Sequence, residues 1–274
     1  MATLQRYADR RVLITGAGSG IGQACVLRIL DEGGRVAAAD ISESGLADTV
    51  ARAGGAADRL HTVVMDVGTE DSVTHGVRRA VEALADSGAD PGLDTLVNAA
   101  GILRSARLPD TSLADFEHVL RVNLIGTFLV TREAIAALRN GAAPAVVNFS
   151  STSAHFAHPY MTAYAASKGG ILAMTHALAA EFAREGIRFT SVQPGSISSG
   201  MTDGTGESRQ SVGPGLPADA DMRLFAKVAP ALRLPERAMF ATPDAVAAVV
   251  AMLGSPEAYF VTGTEVRIDG GAHM

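Results

Sequence analysis

The sequence predicts a doubly wound α/β domain built on a parallel sheet of seven strands. Three observations predict it. The β-branched run Arg11-Val-Leu-Ile-Thr15 breaks into a glycine-rich turn that opens a helix. Short apolar strands then alternate with helical stretches along the whole chain, the pattern of parallel pairing through right-handed crossovers. Several strand ends carry acids, amides, hydroxyls or glycine, and in such a sheet the ligand crevice lies at the carboxyl ends of the strands.

The composition bounds the rest. The chain has 274 residues, 47% of them apolar, enough for one sizeable core, and residues 1–274 are expected to form a single domain. Its single cysteine, Cys25, precludes an internal disulfide and fits a reducing, cytoplasmic setting. No apolar run approaches a membrane span, and the N-terminal residues read neither as a signal peptide nor as an anchor. A net charge of -6 with both signs scattered argues against a nucleic-acid partner and for a small molecule.

In order, the first turn is Gly16-x-x-x-Gly20-x-Gly22, with Ser19 and Ile21 inside it, and Gln23 to Leu30 reads as a helix. Glycines let backbone approach a pyrophosphate closely, and the helix N-terminus offers free N–H groups and partial positive charge. Arg35 to Ala39 is the second strand and ends at Asp40. A carboxylate there can accept hydrogen bonds from ribose hydroxyls and repel a 2′-phosphate. No basic residue stands beside it to hold that phosphate, which favours NAD over NADP.

His61 to Met65 is the third strand, followed by Asp66-Val67 and a capped, acidic helix start at Thr69-Glu70-Asp71. Leu93 to Val97 leads into the small turn Asn98-Ala99-Ala100-Gly101. Thr111-Ser112 signals a helix through Asn123 to about Leu138, and Ala145 to Phe149 runs into Ser150-Ser151-Thr152-Ser153. The helix bearing Tyr164-Ala165-Ala166-Ser167-Lys168 follows.

A phenol and an ammonium four residues apart share one helix face. At about 4 Å and an effective dielectric of about 20, the cation is worth roughly 4 kcal/mol, or about three pKa units, against which burial works. That pair can make a base. Ile187 to Val192 is the sixth strand, ending near Pro194-Gly195; Thr242-Pro243-Asp244 opens a helix over Ala245 to Leu253; Thr264 to Ile268 is the seventh strand, before Asp269-Gly270-Gly271.

These motifs in this order make the chain resemble the short-chain dehydrogenase/reductase family over essentially its whole length, with the Rossmann-type sheet that family uses. The resemblance implies a tetrad of Asn123, Ser151, Tyr164 and Lys168. Ser151 stands 13 residues before the tyrosine and is preferred on that spacing to its rivals Ser150 and Ser153. It implies that Asp66 and Val67 frame the adenine, that Asn98 fixes the central strand, and that Lys168 holds the nicotinamide ribose while lowering the tyrosine pKa. Asn123, at a helix kink, would hold a water. Past Pro194-Gly195 the family's carboxamide-binding threonine is replaced by Ser199, assisted by the backbone of Ile197.

The activity implied is NAD-dependent interconversion of a secondary alcohol and a ketone. An epimerase or dehydratase on the same frame, or a non-enzymatic NAD sensor, are the alternatives. His155 and His158 read as rim histidines rather than a metal site, since no Cys or carboxylate nearby completes one, and no G-x-S-x-G elbow marks a hydrolase. The irregular stretch 198–237 is expected to cover the substrate. Phe156, Met201, Met222, Leu224 and Phe225 hint at an alicyclic or lipophilic one. Met161, Met174 and Met201 read as gap fillers. The helix Gly169 to Ala183 is apolar around most of its circumference, which predicts burial on two sides and a homo-oligomer, a dimer or tetramer.

Overall fold

The computed structural model describes residues 4–85, 91–199, 215–232 and 240–274, with the side chains of 226–228 set aside. Met201 and half of the predicted substrate-covering stretch lie outside the described residues.

Seven strands, β1 (Arg11–Thr15), β2 (Arg35–Asp40), β3 (Leu60–Val64), β4 (Thr95–Asn98), β5 (Ala145–Phe149), β6 (Arg188–Pro194) and β7 (Thr264–Ile268), form one sheet in the order β3-β2-β1-β4-β5-β6-β7. All pairs are parallel. Successive strand residues face opposite sides of the sheet, so each central strand feeds two cores. Val12, Ile14, Val36, Ala38, Val97 and Val147 pack with Ile29 and Leu30 of helix α1 (Gly20–Asp31) and Val246 and Val250 of α7 (Pro243–Gly254). Leu13, Ala37, Leu96, Val146 and Phe189 pack the other face with α3 (Glu70–Leu84), α5 (Gly126–Arg139) and α6 (Thr162–Phe182).

Strands are added outward in one direction from β1 to β3 and in the other from β4 to β7, so the turns after the adjacent strands β1 and β4 meet at the point where the order switches. Gly16 adopts φ +68, and a Cβ there would lie 2.7 Å from the backbone of Ala100. No side chain fits at that contact.

Several expectations need correction in detail. The ends of β3, β4 and β6 shift by one to two residues, and α2 (Glu43–Ala53) was not anticipated; its buried residues are only Leu46 and Thr49. Ser112 caps α4 (Leu113–Leu120) as expected, accepting from the Asp115 N–H. Thr69 and Thr242 occupy cap positions without a side-chain cap bond, and the Thr69 hydroxyl donates to Asp66 instead. The predicted long helix runs as α4, a π turn at Arg121–Ile125, and α5. Within the single chain α6 buries one side, with Ile171, Leu172, Thr175, Ala179 and Phe182 inside, while Ala173, His176, Ala177 and Ala180 are exposed.

Candidate active site

The glycine turn and two acids define one end of the crevice. Ser19 precedes α1, and its side chain makes no cap bond, leaving hydroxyl and helix terminus together at the turn. Gly20 sits at φ +53, and a Cβ on it would lie 3.4 Å from Ser199 Cβ. Ser199 therefore flanks the glycine turn. Gly22 packs on the Gly16 carbonyl so tightly that a Cβ would overlap it, while Ile21 lies against the core.

Asp40 closes β2 against this turn. Its Oδ2 accepts from the Gly18 N–H at 2.9 Å and its Oδ1 from the Ser42 N–H at 2.9 Å. Next to it, Ile41 is exposed. Asp66 accepts from the Gly68 N–H at 2.8 Å and from the Thr69 hydroxyl at 3.0 Å, and Val67 is buried against Gly126. The Ala100 N–H donates to the Thr15 hydroxyl, so Ala99 and Ala100 are held beside β1.

These features fit a dinucleotide. Close backbone at Gly16, Gly20 and Gly22, the N-terminus of α1 with an uncommitted Ser19 hydroxyl, and a carboxylate at the end of β2 are what pyrophosphate and ribose recognition require. Gly101 extends the approach toward the reacting end, where a Cβ on it would lie 3.2 Å from Asn123 Oδ1 and 3.5 Å from Lys168 Nζ.

Three serines follow β5, and their partners separate them. Ser150 donates its hydroxyl to the Lys168 carbonyl at 2.9 Å. Ser151 lies where its side chain favours ionisation of the Tyr164 phenol, and its hydroxyl accepts from the Ser153 N–H. The Ser153 hydroxyl is buried without a partner among the described residues. Ser151 is thus the serine that meets the tyrosine.

Tyr164 and Lys168 lie one turn apart on α6, with Nζ 5.5 Å from the phenol ring centroid. The expected electrostatic pairing is not the dominant effect in the cofactor-free protein. Burial pushes the Tyr164 pKa up to about 12, with Ser151 pulling it down, and burial pushes Lys168 down to about 8. The ammonium donates to the Phe149 carbonyl at 2.7 Å, a bond that anchors α6 to the end of β5.

Asn123 sits at the helix irregularity where it was expected. It lies in the π turn, fully buried, where Oδ1 accepts from the Ile102 N–H at 2.8 Å and Nδ2 donates to the Ile102 carbonyl at 2.9 Å and Ser167 Oγ at 3.0 Å. Its own carbonyl accepts from Thr127 Oγ1 at 2.7 Å. The side chain fastens the segment after Gly101 to α6.

A buried polar ladder not anticipated from the sequence continues from here. Asn98 Nδ2 donates to Thr131 Oγ1 and to Asn148 Oδ1, and Asn148 Nδ2 donates to Thr175 Oγ1. Asn98 does hold the central strands together, but with Asn148 as its partner. The only signal for it in the sequence is a polar residue at the same register in adjacent strands.

At the far wall Pro194 ends β6, and Gly195 donates its N–H to the Ile268 carbonyl at 3.0 Å. Ile197 is buried and pairs with Ala241. Of the apolar set expected around a substrate, two aromatics have ring partners and two residues are exposed. Phe156 stacks on His273, Phe225 packs on Tyr160, and Met222 and Leu224 are exposed. Met161 is buried and Met174 half-buried. His158 contacts Thr152 and the Phe156 carbonyl, and His155 contacts Gln193. Among the described residues no three metal-ligating side chains cluster, and no helix is long and apolar enough to cross a membrane.

Comparison with known proteins agrees with this architecture. The family model described as short chain dehydrogenase matches residues 10–210. The chain is 35% identical over 269 residues to the 3-oxoacyl-(acyl-carrier-protein) reductase of Thermotoga maritima, covering 97% of this chain and 98% of that protein. It is 34% identical over 281 residues to the (3R)-3-hydroxyacyl-CoA dehydrogenase of Mus musculus, covering all of both. A crystal structure of a short chain dehydrogenase from Burkholderia cenocepacia in complex with NADP superposes with a TM-score of 0.81 at 30% identity, covering 98% of this chain and 100% of that one. The chain belongs to the short-chain dehydrogenase family of oxidoreductases.

Proposed function

We propose that this protein is an NAD-dependent dehydrogenase that interconverts a secondary alcohol and a ketone, with Tyr164 as the general acid and base. One arrangement supports the reading: the Ser151 side chain lies by the Tyr164 phenol, one helical turn from the buried Lys168. When bound, the nicotinamide supplies the hydride acceptor or donor and, oxidised, a positive charge. Ser151 holds the substrate oxygen and stabilises the phenolate. Tyr164 takes the hydroxyl proton in oxidation and returns one to the carbonyl oxygen in reduction. Lys168, held by the Phe149 carbonyl, faces the ribose and the phenol. Asn123 keeps the turn after β4 docked on α6, which sets the depth of the site.

The cofactor assignment rests on Asp40. The relative from Burkholderia is described with NADP, so the choice is read from this chain's own β2 end. A carboxylate already facing the glycine turn accepts from ribose hydroxyls and repels a 2′-phosphate. Gly16, Ser19, Gly20, Ile21 and Gly22 hold the pyrophosphate, Asp66 and Val67 the adenine, and Asn98 to Gly101, Pro194, Gly195, Ile197 and Ser199 the nicotinamide side. Replacing Asp40 by Ser together with Ile41→Arg is expected to shift the ratio of kcat/KM toward NADP by about tenfold or more, since a gained ion pair and a lost repulsion each contribute about 1 kcal/mol or more. Unchanged selectivity would remove Asp40 from the ribose site.

The whole chain acts as one dinucleotide-binding unit in this reading, with 198–237 over the substrate, in a cytoplasmic homo-oligomer. Turnover without net NADH change would favour an epimerase or dehydratase, and tight NAD binding without turnover a sensor.

A further inference from the structure

The segment Asp269–His273 joins three walls of the site. His273 stacks on Phe156 with ring centroids 4.2 Å apart and 21° between planes, and Arg267 places its guanidinium 4.9 Å from the same ring. Phe156 follows the short 3-10 turn Thr152–Ala154, which begins at Ser151. The His273 ring is fixed in turn: its Nδ1 lies 3.0 Å from Asp269 Oδ2, its N–H donates to the same oxygen, and its carbonyl accepts from Arg267. Both side chains of the His273–Asp269 pair are only 7% exposed.

Asp269 meets the second wall. It packs so closely on Gly195 that a Cβ there would lie 2.7 Å from Asp269 Cβ. The third wall is the stretch after the described start at residue 215: the Ala231 and Leu232 N–H groups both donate to the Gly270 carbonyl. His158, on the loop that carries Phe156, brings its ring within 5.6 Å of His273 and bonds Thr152, which neighbours Ser151.

We propose that His273 is a positioning residue that, through Phe156, holds the loop carrying Ser151 in register with the Pro194–Gly195 turn. The inference rests on the reading of Ser151 as the residue that holds the substrate oxygen. A stacked, hydrogen-bonded ring at this junction restricts the loop by packing and keeps the Ser151 hydroxyl where Tyr164 meets it. Without the ring, the 152–158 loop retains its local turn bonds and loses its anchor.

The test compares His273→Ala with His273→Phe, which keeps a ring to stack but cannot bond Asp269. Hydrogen exchange on the cofactor-free protein reads the Ala154, His155 and Phe156 amides, which donate to Ser151 and Thr152 carbonyls. In His273→Ala these amides are expected to exchange about tenfold faster, with amides of α7 unchanged, and in His273→Phe to return most of the way to the wild-type rate. With a substrate found by the alcohol panel, kcat in His273→Ala falls about tenfold with KM for NAD within about twofold, and the Phe variant recovers it. Wild-type exchange in His273→Ala, equal loss in both variants, or exchange raised throughout the protein would each overturn the proposal. The exchange arm needs no turnover, so a failed alcohol panel counts against the dehydrogenase reading and leaves this result to stand separately.

Discussion

Tyr164, half-buried, and Lys168, buried, occupy one turn of α6, and burial drives both toward their neutral forms, the tyrosine up to about 12 and the lysine down to about 8. The resting Tyr164 is therefore a protonated donor at neutral pH, the form that a ketone reduction consumes. Lys168 gives a stability signature that is independent of turnover. Its folded pKa, about 8, lies below its ordinary 10.5, so between those values the unfolded chain binds a proton that the folded one does not. Stability contributed at this site thus rises with pH across that window and is lowest below it. Wild type measured against Lys168→Met should gain about 1.4 kcal/mol per pH unit across that window in urea unfolding, the Tyr164 contribution cancelling in the comparison. A flat difference would show that Lys168 is not desolvated. Ser151→Ala removes the one group that favours the phenolate, and should lower kcat by about 10²-fold and move the alkaline limb of the pH–rate profile upward. A profile unmoved by Ser151→Ala would assign the serine a different role.

At the scale of elements, the site is a product of how β4, β5 and α6 are tied together. Asn98 and Asn148 pair in register, and Asn148 reaches Thr175 on α6, so the helix that carries Tyr164 and Lys168 is bonded to the central strands from inside the core. Asn148→Ala leaves a cavity and unpaired polar groups, and should cost about 2–4 kcal/mol of unfolding free energy by urea denaturation. A cost below about 0.5 kcal/mol would mean the ladder is dispensable. The main elements were legible because their signals are local: glycine after β1, a β-branched run at β5, a cap and proline before α7. α2 escaped because Leu46 is its one large buried apolar residue, too sparse for a helical stripe. The Asn98–Asn148–Thr175 ladder and the Phe156–His273 stack were illegible for a different reason. Their partners are distant in the chain, and no spacing rule connects residues that only the folded sheet brings together.

Considered whole, the molecule covers the central strands of the sheet on both faces, and α6 adds an outer surface of its own. α6 exposes Ala173, Ala177 and Ala180, with Met174 and Leu178 half-buried, a low, small-residue surface on an otherwise apolar helix. Such a face suits close packing of a second copy, and light scattering at micromolar concentration should give a dimer or tetramer, with Leu178→Glu shifting it toward monomer; a monomeric wild type would refute that assembly. The closeness of Tyr164 and Lys168 on one helix was legible from the sequence but their electrostatic state was not, because burial is a property of the assembled layers and the Tyr164–Lys168 spacing alone predicts the opposite shift. The most direct test of the account is NADH formation from NAD across a panel of secondary alcohols and diols, run with wild type and Tyr164→Phe side by side. The account predicts NADH with at least one alcohol and a loss of about 10³-fold in Tyr164→Phe with folding intact. No NADH from any alcohol, or equal turnover in the two proteins, would contradict it.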